Sequence, residues 1–426
     1  METIKEKNDL LFQVALEVLS YHSKCSDYEY KNITEIEVMD PYPNMETYAF
    51  DSYALSSQGL FLMPSLVIQM TKNLFSLQRF GLDELRRFVL TVRKNYRDVP
   101  YHNWTHAFAV AHSMYLVIRS GNNRFTALEA LAMFFASLCH DLDHRGRTNS
   151  WMKNEQTPLA AVYSTSTMEH HHFNQTITIL QHEGHNIFSH LSPAEYKTVL
   201  GYMKECILAT DLALFFGNKS KLKDIVEKGQ FTWDNLEHRL VTTSYDKLLN
   251  SGDFPSSFAM PHLLTYNPIG DLEKAQGKTP IAMKDRNTAH ELPAHQVGFL
   301  VGICLPCYEL LQKCIPETKP LVDGSQSNLQ KWSRMAQHNR AALDAMNKNS
   351  DESGKKGAKE SGKDNASKSD KKDDDSEEKQ DLEEKKSENE QKESIKEEEK
   401  HVDEEEKEKT ENSIENSEAD KEKASD

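Results

Sequence analysis

The chain has 426 residues, 38% of them hydrophobic, and a formal net charge of −16 at pH 7. Residues 351–426 concentrate that charge, with 30 acidic residues against 17 lysines and no aromatic residue, so residues 1–350 are nearly neutral and hold the material for a core. The acidic surplus repels phosphate backbones, which excludes nucleic acid as a partner, and no run of 18 apolar residues is present to span a membrane.

In chain order, residues 1–60 form an N-terminal extension: an apolar helical opening, LLFQVALEVLSYH, then a Pro- and Tyr-rich stretch, DPYPNMETYAF, expected as loop and short turns. From Ser65 the apolar positions recur at three and four, in VIQMTKNLFSLQRF, LDELRRFVLTVRKNY, THAFAVAHSMYLVIRS, ALEALAMFFASLCHD and AEYKTVLGYMKECILATDLALFF. Thr126 before Glu129 and Ser192 before Glu195 have the spacing of capping boxes. Strand-like alternation is almost absent, so the fold class is all-α. A helical body over 61–345 is expected, atypical at 241–270. Residues 251–282 carry four prolines and break the helical pattern. Helix resumes near Leu292, ends near DGSQSNLQKWSRMAQ, and gives way beyond Asn347 to a disordered acidic tail, 346–426, whose expected contacts are basic partners. The six cysteines are scattered and no apolar leader opens the chain, which points to reduced thiols and a cytoplasmic address. The pair in CLPC, Cys304 and Cys307, is read as buried structural thiols, since no second pair lies at metal spacing.

Chemistry concentrates in two histidine pairs, His102 with His106 in YHNWTHAF and His140 with His144 in CHDLDHRG. At helical spacing each pair presents two imidazoles on one face, and Asp141 adds a carboxylate. An apolar run entering His140 and Asp141 buries polar groups that a cation compensates. Together with His106 they make a mixed nitrogen and oxygen site for a divalent metal such as Zn. Asp143, His144 and Glu169 are placed to hold metal-bound water. The HHH run at 170–172 is read as surface helix, and His171, His172, His182 and His185 as ordinary satisfied side chains. The residues alone indicate a metal-dependent hydrolase.

The motifs YHNWTHA at 101–107, HDLDHRG at 140–146, YSTSTMEHHHF at 163–173, ATDLALFFGN at 209–218 and ELPAHQVGF at 291–299 resemble the HD-type catalytic domain of the class I cyclic nucleotide phosphodiesterases. STSTME, EGHNIFS and IPETKPLVDG look most like the dual-specificity type 10 subfamily. The resemblance covers roughly residues 60–240 and 271–340. It implies a multi-helix domain hydrolysing cAMP or cGMP with two divalent ions, Zn and Mg (or Mn). It further implies that His102 protonates the leaving O3′, that His106, His140 and Asp141 hold the tight metal, and that His144 and Glu169 order water near the second. Tyr101 then supports the phosphate side, Gln296 reads the purine, Phe299 stacks on the base, and Lys278–Arg286 forms a loop lining the pocket. A homodimer is a further expectation of the family.

The chain departs from the family between His238 and Gly270. There the family carries a segment like MTACDLSAxxKPW, whose Asp is the fourth metal ligand, followed by a helix with a glutamate that orients the catalytic histidine. This chain has TTSYDKLLNSGDFPSSFAMPHLLTYNPI instead. Asp246 and Asp253 are the remaining carboxylates there. Two readings follow: a hydrolase with an impaired metal site, or an inactive splice form that binds nucleotide or partners without turnover.

Overall fold

The computed structural model describes residues 24–36, 42–57, 60–75, 81–243 and 285–357, with isolated positions between 270 and 279. The apolar opening helix, most of 251–282, Asp246 and Asp253 therefore lie outside the described residues. The chain divides into two units, Met1–Lys348 and Asn349–Asp426. Only residues 349–357 of the second are described.

Among the described residues the regular structure is helical throughout. In order come α1 Asp27–Glu35, a 3-10 turn Tyr53–Ser57, α2 Leu62–Leu74, α3 Leu82–Lys94, α4 Trp104–Ser120 and α5 Ala127–Cys139. Then follow α6 Asn149–Asn154, α7 Pro158–Val162, α8 Thr167–Leu180, α9 Pro193–Leu208, α10 Leu212–Glu227 and α11 Leu236–Thr243. The chain resumes with α12 Leu292–Phe299, a π turn Leu300–Cys304, α13 Leu305–Cys314 and α14 Lys319–Gly357.

α5 forms the centre. Every residue from Glu129 to Cys139 is buried, because ALEALAMFFASLC has no polar face wide enough to meet water. It packs against α4 and α9. Phe135 meets Phe134, Phe88 and Phe188 edge to face, with ring centroids 5.3, 5.8 and 5.9 Å apart, the arrangement that aromatic quadrupoles favour. Its start is fixed by a capping box: Thr126 accepts from the Glu129 backbone N–H, and Glu129 accepts from Thr126 N–H. α9 starts the same way from Ser192 and Glu195. Arg239 of α11 ties onto the first box, donating to Glu129 at 3.0 Å and to Trp233 O at 2.5 Å.

Within the N-terminal extension, read as helix and loop, α1 starts from a Ser26 and Glu29 capping box. One boundary differs from the sequence reading: α14 continues to Gly357, beyond Asn347. By length and composition the helical run Arg286–Cys314 would also pass as membrane-crossing. Its Cys304, Cys307, Tyr308, Leu310 and Leu311 are core residues, as in a helix packed inside a protein body. Both CLPC thiols are buried, and burial first pushes the Cys307 thiol up to about 12, which holds it protonated.

Candidate metal centre

The centre lies where α5 ends and α4 and α8 begin. α4 opens on Asn103, whose side chain accepts from His106 N–H at 3.1 Å while its amide donates to Val99 O at 3.0 Å. This sets the first turn and His106 with it. α5 ends at Cys139, and His140 occupies its C-cap position. The His140 Nδ1–H donates to Ser137 O at 2.7 Å. Tyr96 lies across the same helix end, donating to Leu138 O at 2.9 Å and accepting from Asp141 N–H at 3.2 Å.

The expected i,i+4 helical pairs do not form. His102 lies before α4 begins, and His144 lies past the end of α5. Asp143 takes left-handed backbone, φ 59°, with its N–H on Asn95 O at 3.0 Å. That reversal ends the helical spacing and brings His144 back, stacked on His102 with ring centroids 3.9 Å apart. Tyr101 lies against both His102 and His106, at 4.9 and 4.6 Å.

His106, His140 and Asp141 meet in a buried cluster. Asp141 Oδ2 is 3.0 Å from His140 Nε2 and 3.4 Å from His106 Nε2, and the two nitrogens are 3.3 Å apart. A backbone carbonyl fixes the His140 tautomer: with Nδ1 protonated on Ser137 O, the neutral ring aims its Nε2 lone pair at a carboxylate. His172 repeats the arrangement, donating from Nδ1 to Leu142 O at 2.5 Å and facing Asp141 Oδ1 with Nε2 at 3.7 Å. Lone pairs converging on a carboxylate repel one another unless a cation or proton lies among them. An imidazole whose far nitrogen is tied to a backbone carbonyl is the arrangement that metal-ligating histidines adopt. The residues therefore fit a divalent cation held by His106, His140 and Asp141, with His172 and the donor His144 gathered about the same carboxylate.

Burial alone would push the Asp141 carboxyl up, but positive charge on His140 and His102, with hydrogen bonds from His106 and His140, outweighs it and holds the carboxyl well below the usual range; without that charge the cluster needs a cation in its place. Burial pushes His172 down to about 3, so it stays neutral with its lone pair available. Burial opposes ionisation of Asp143 too, yet His171 Nε2 at 2.8 Å and Arg97 Nε at 2.6 Å bring it down to about 2. His144 differs from the others: its Nδ1 accepts from Gly146 N–H at 2.9 Å. Its neutral ring then carries the proton on Nε2 and serves as a donor.

Glu169, one turn before His172 on α8, is buried and accepts from Asn149 Nδ2 at 2.8 Å. Gln296, buried, and Phe299, half-buried, share a face of α12 at a spacing of three, directly before the π turn; π segments recur at functional positions. Lys278 and most of the loop to Arg286 lie outside the described residues. Sequence reading missed His171 and His172, both buried rather than on a surface helix. A signal existed: Met168, His172, Gln175 and Ile179 follow one helical stripe and are buried together.

An all-α body that closes two imidazoles and a carboxylate around a cation position at helix ends defines a helical protein with a buried site fit for a divalent metal. A family model described as 3'5'-cyclic nucleotide phosphodiesterase matches residues 101–325, more than half of the chain, and the chain belongs to that family. It is 43% identical over 357 residues to the "Probable 3',5'-cyclic phosphodiesterase pde-5" of Caenorhabditis elegans, covering 82% of this chain and 48% of the relative. It is 40% identical to the "cGMP-specific 3',5'-cyclic phosphodiesterase" of Drosophila virilis, over 76% of this chain and 38% of the relative, and 40% identical to that of Drosophila melanogaster, over 76% and 30%. The chain thus spans about half the length of the first relative and less of the others. None of these three names carries the type 10 designation, so the subfamily does not follow from them.

Proposed function

We propose that the chain hydrolyses 3',5'-cyclic nucleotides, cAMP, cGMP or both, to nucleoside 5'-monophosphates. The observation that carries this reading is the buried convergence of His106, His140 and Asp141 with His102 stacked beside them on His144. The cyclic enzymes among its relatives support the substrate class. The type 10 motifs support dual specificity, and the Gln296 amide, which both donates and accepts, suits either purine edge.

His106, His140 and Asp141 would hold one ion, Zn, and Asp141 would share a second, Mg or Mn. Bound, the ions supply charge for the phosphate oxygens and a water of lowered pKa. His102 gives its proton to the O3′ that departs, and Tyr101 limits where that ring can turn. His144 donates its Nε2–H toward phosphate or water, and Glu169 accepts from water on the same side. Gln296 and Phe299 hold the base. A cytoplasmic address, self-association and capture of basic partners by residues 346–426 belong to the same proposal.

The replaced segment favours a weakened centre, since three protein ligands hold Zn less firmly than four. A second reading, nucleotide binding without turnover, keeps Gln296 and Phe299 while giving up the rate. Hydrolysis of both nucleotides by the full chain, with bound Zn measured alongside, separates them. We expect a slow rate that chelation abolishes and His140→Ala lowers by about a hundredfold or more. Nucleotide binding with no hydrolysis at any Zn occupancy overturns the hydrolase reading.

A further inference from the structure

The start of α8 is built against local preference. Ser166 holds its N-cap position in left-handed backbone, φ 44° and ψ 47°, and makes no side-chain cap to the helix. That conformation is disfavoured for any residue with a Cβ. The Ser166 hydroxyl is turned elsewhere, donating to Asp211 Oδ2 at 2.7 Å, while Asp211 Oδ1 caps α10 through Ala213 N–H at 3.1 Å.

The missing cap comes from another part of the chain. Asn149, the first residue of α6, accepts from Met168 N–H through Oδ1 at 2.9 Å and donates from Nδ2 to Glu169 Oε2 at 2.8 Å. One amide therefore fixes two consecutive residues in the first turn of α8. A backbone cap alone needs only the oxygen, so the bond from the nitrogen to a buried carboxylate calls for a separate reason. A glutamate carries three side-chain torsions, and a donor on one oxygen helps to settle them.

We propose that Asn149 is a positioning residue that aims the Glu169 carboxylate at water around the more weakly held divalent cation, and thereby sets that cation's affinity. The inference rests on the role given to Glu169 above and extends it to a residue that touches neither substrate nor cation. Groups that orient the surroundings of a metal typically change its affinity ten- to a hundredfold when removed.

Mn2+ serves as the probe, with its binding to the full chain followed by loss of the free-ion resonance signal, and melting in chelator recorded for every variant. Asn149→Ala is expected to raise the weaker apparent Kd for Mn2+ about tenfold. The exchange Asn149→Asp with Glu169→Gln, which reverses the donor and acceptor in place, is expected to recover most of that loss. Should the alanine variant give no cooperative melt, Asn149→Ser is read by the same criteria, because its hydroxyl keeps an acceptor near the helix start but falls short of Glu169. A lower melting midpoint with an unchanged Mn2+ isotherm means that Asn149 is a cap and nothing more, which overturns the inference. A parent chain that binds no Mn2+ overturns it too. Cyclic nucleotide hydrolysis by the parent is measured separately: its absence, with the Mn2+ effect intact, removes the proposed reaction and leaves the positioning role standing.

Discussion

His102 and His140 look alike in the sequence but are prepared for different work by what each ring touches. His140 is locked by Ser137 O with its lone pair inward, whereas His102 lies before its helix and is held by ring contacts with Tyr101 and His144. Replacing His102 by Asn should therefore leave cation binding within about twofold, because that ring contributes no ligand atom to the His106, His140 and Asp141 group. It should lower kcat about 10²- to 10⁴-fold, the usual effect of losing a general acid. Steady-state kinetics with Mn2+ titration on the same variant checks both halves. His106, His140 and Asp141 were legible in the sequence because an apolar run enters a doublet whose polar groups need compensation. His171 and His172 were not, because three consecutive histidines read as surface until the burial of Met168, Gln175 and Ile179 assigns a face. Asn149 carries no sequence signal at all, since its partners lie 19 and 20 residues away.

At the scale of elements, starts were easier to read than ends. Thr126 with Glu129 and Ser192 with Glu195 were visible from spacing alone, and both boxes are formed. Thr126→Ala removes the acceptor for Glu129 N–H and is expected to cost about 1 kcal/mol in urea unfolding. The end of α5 was hidden, because helical spacing was carried through His144 while the left-handed Asp143 breaks it. A non-glycine in that conformation leaves little local trace, and here Arg97, His171 and Asn95 impose it from other segments. α8 shows the same thing at its start, where Ser166 occupies the capping place without capping. The Asp143 departure falls at the metal centre, while Asn44, Asn122, Asn123 and Gln156 take positive φ elsewhere in the chain.

Across the whole molecule, the all-α class followed from the near absence of alternation, and the central place of α5 from a run without a polar face. The segment 244–269 is where sequence and family part, and it lies outside the described residues. Acid stability belongs to this scale because it reads a histidine remote from the centre. His112, on α4, donates from Nε2 to Met45 O at 2.8 Å and is brought down to about 4, by burial first, with that bond and Glu46 opposing. Its folded value lies below the ordinary 6.5, so the fold holds the neutral ring. The unfolded chain takes up the proton first, and the stabilisation present above pH 6.5 is lost as pH falls toward 4. Between pH 7 and pH 5 this group alone should remove about 2 kcal/mol. His112→Gln, which keeps a donor for Met45 O, should flatten that slope, as urea midpoints at the two pH values would register.

The residues that make the cation cluster and hold it in place, from Asn95 and Arg97 through His140 and Asp143 to His171 and His172, occur within one continuous stretch of chain. During synthesis that stretch emerges from the ribosome before α12, with Gln296 and Phe299, has been made. Short sequence separation makes such contacts fast to close, and domains fold from the N-terminal side as they are made. On the proposed function, the cation-holding side chains are thus made, and can meet, before the proposed base contacts Gln296 and Phe299 exist.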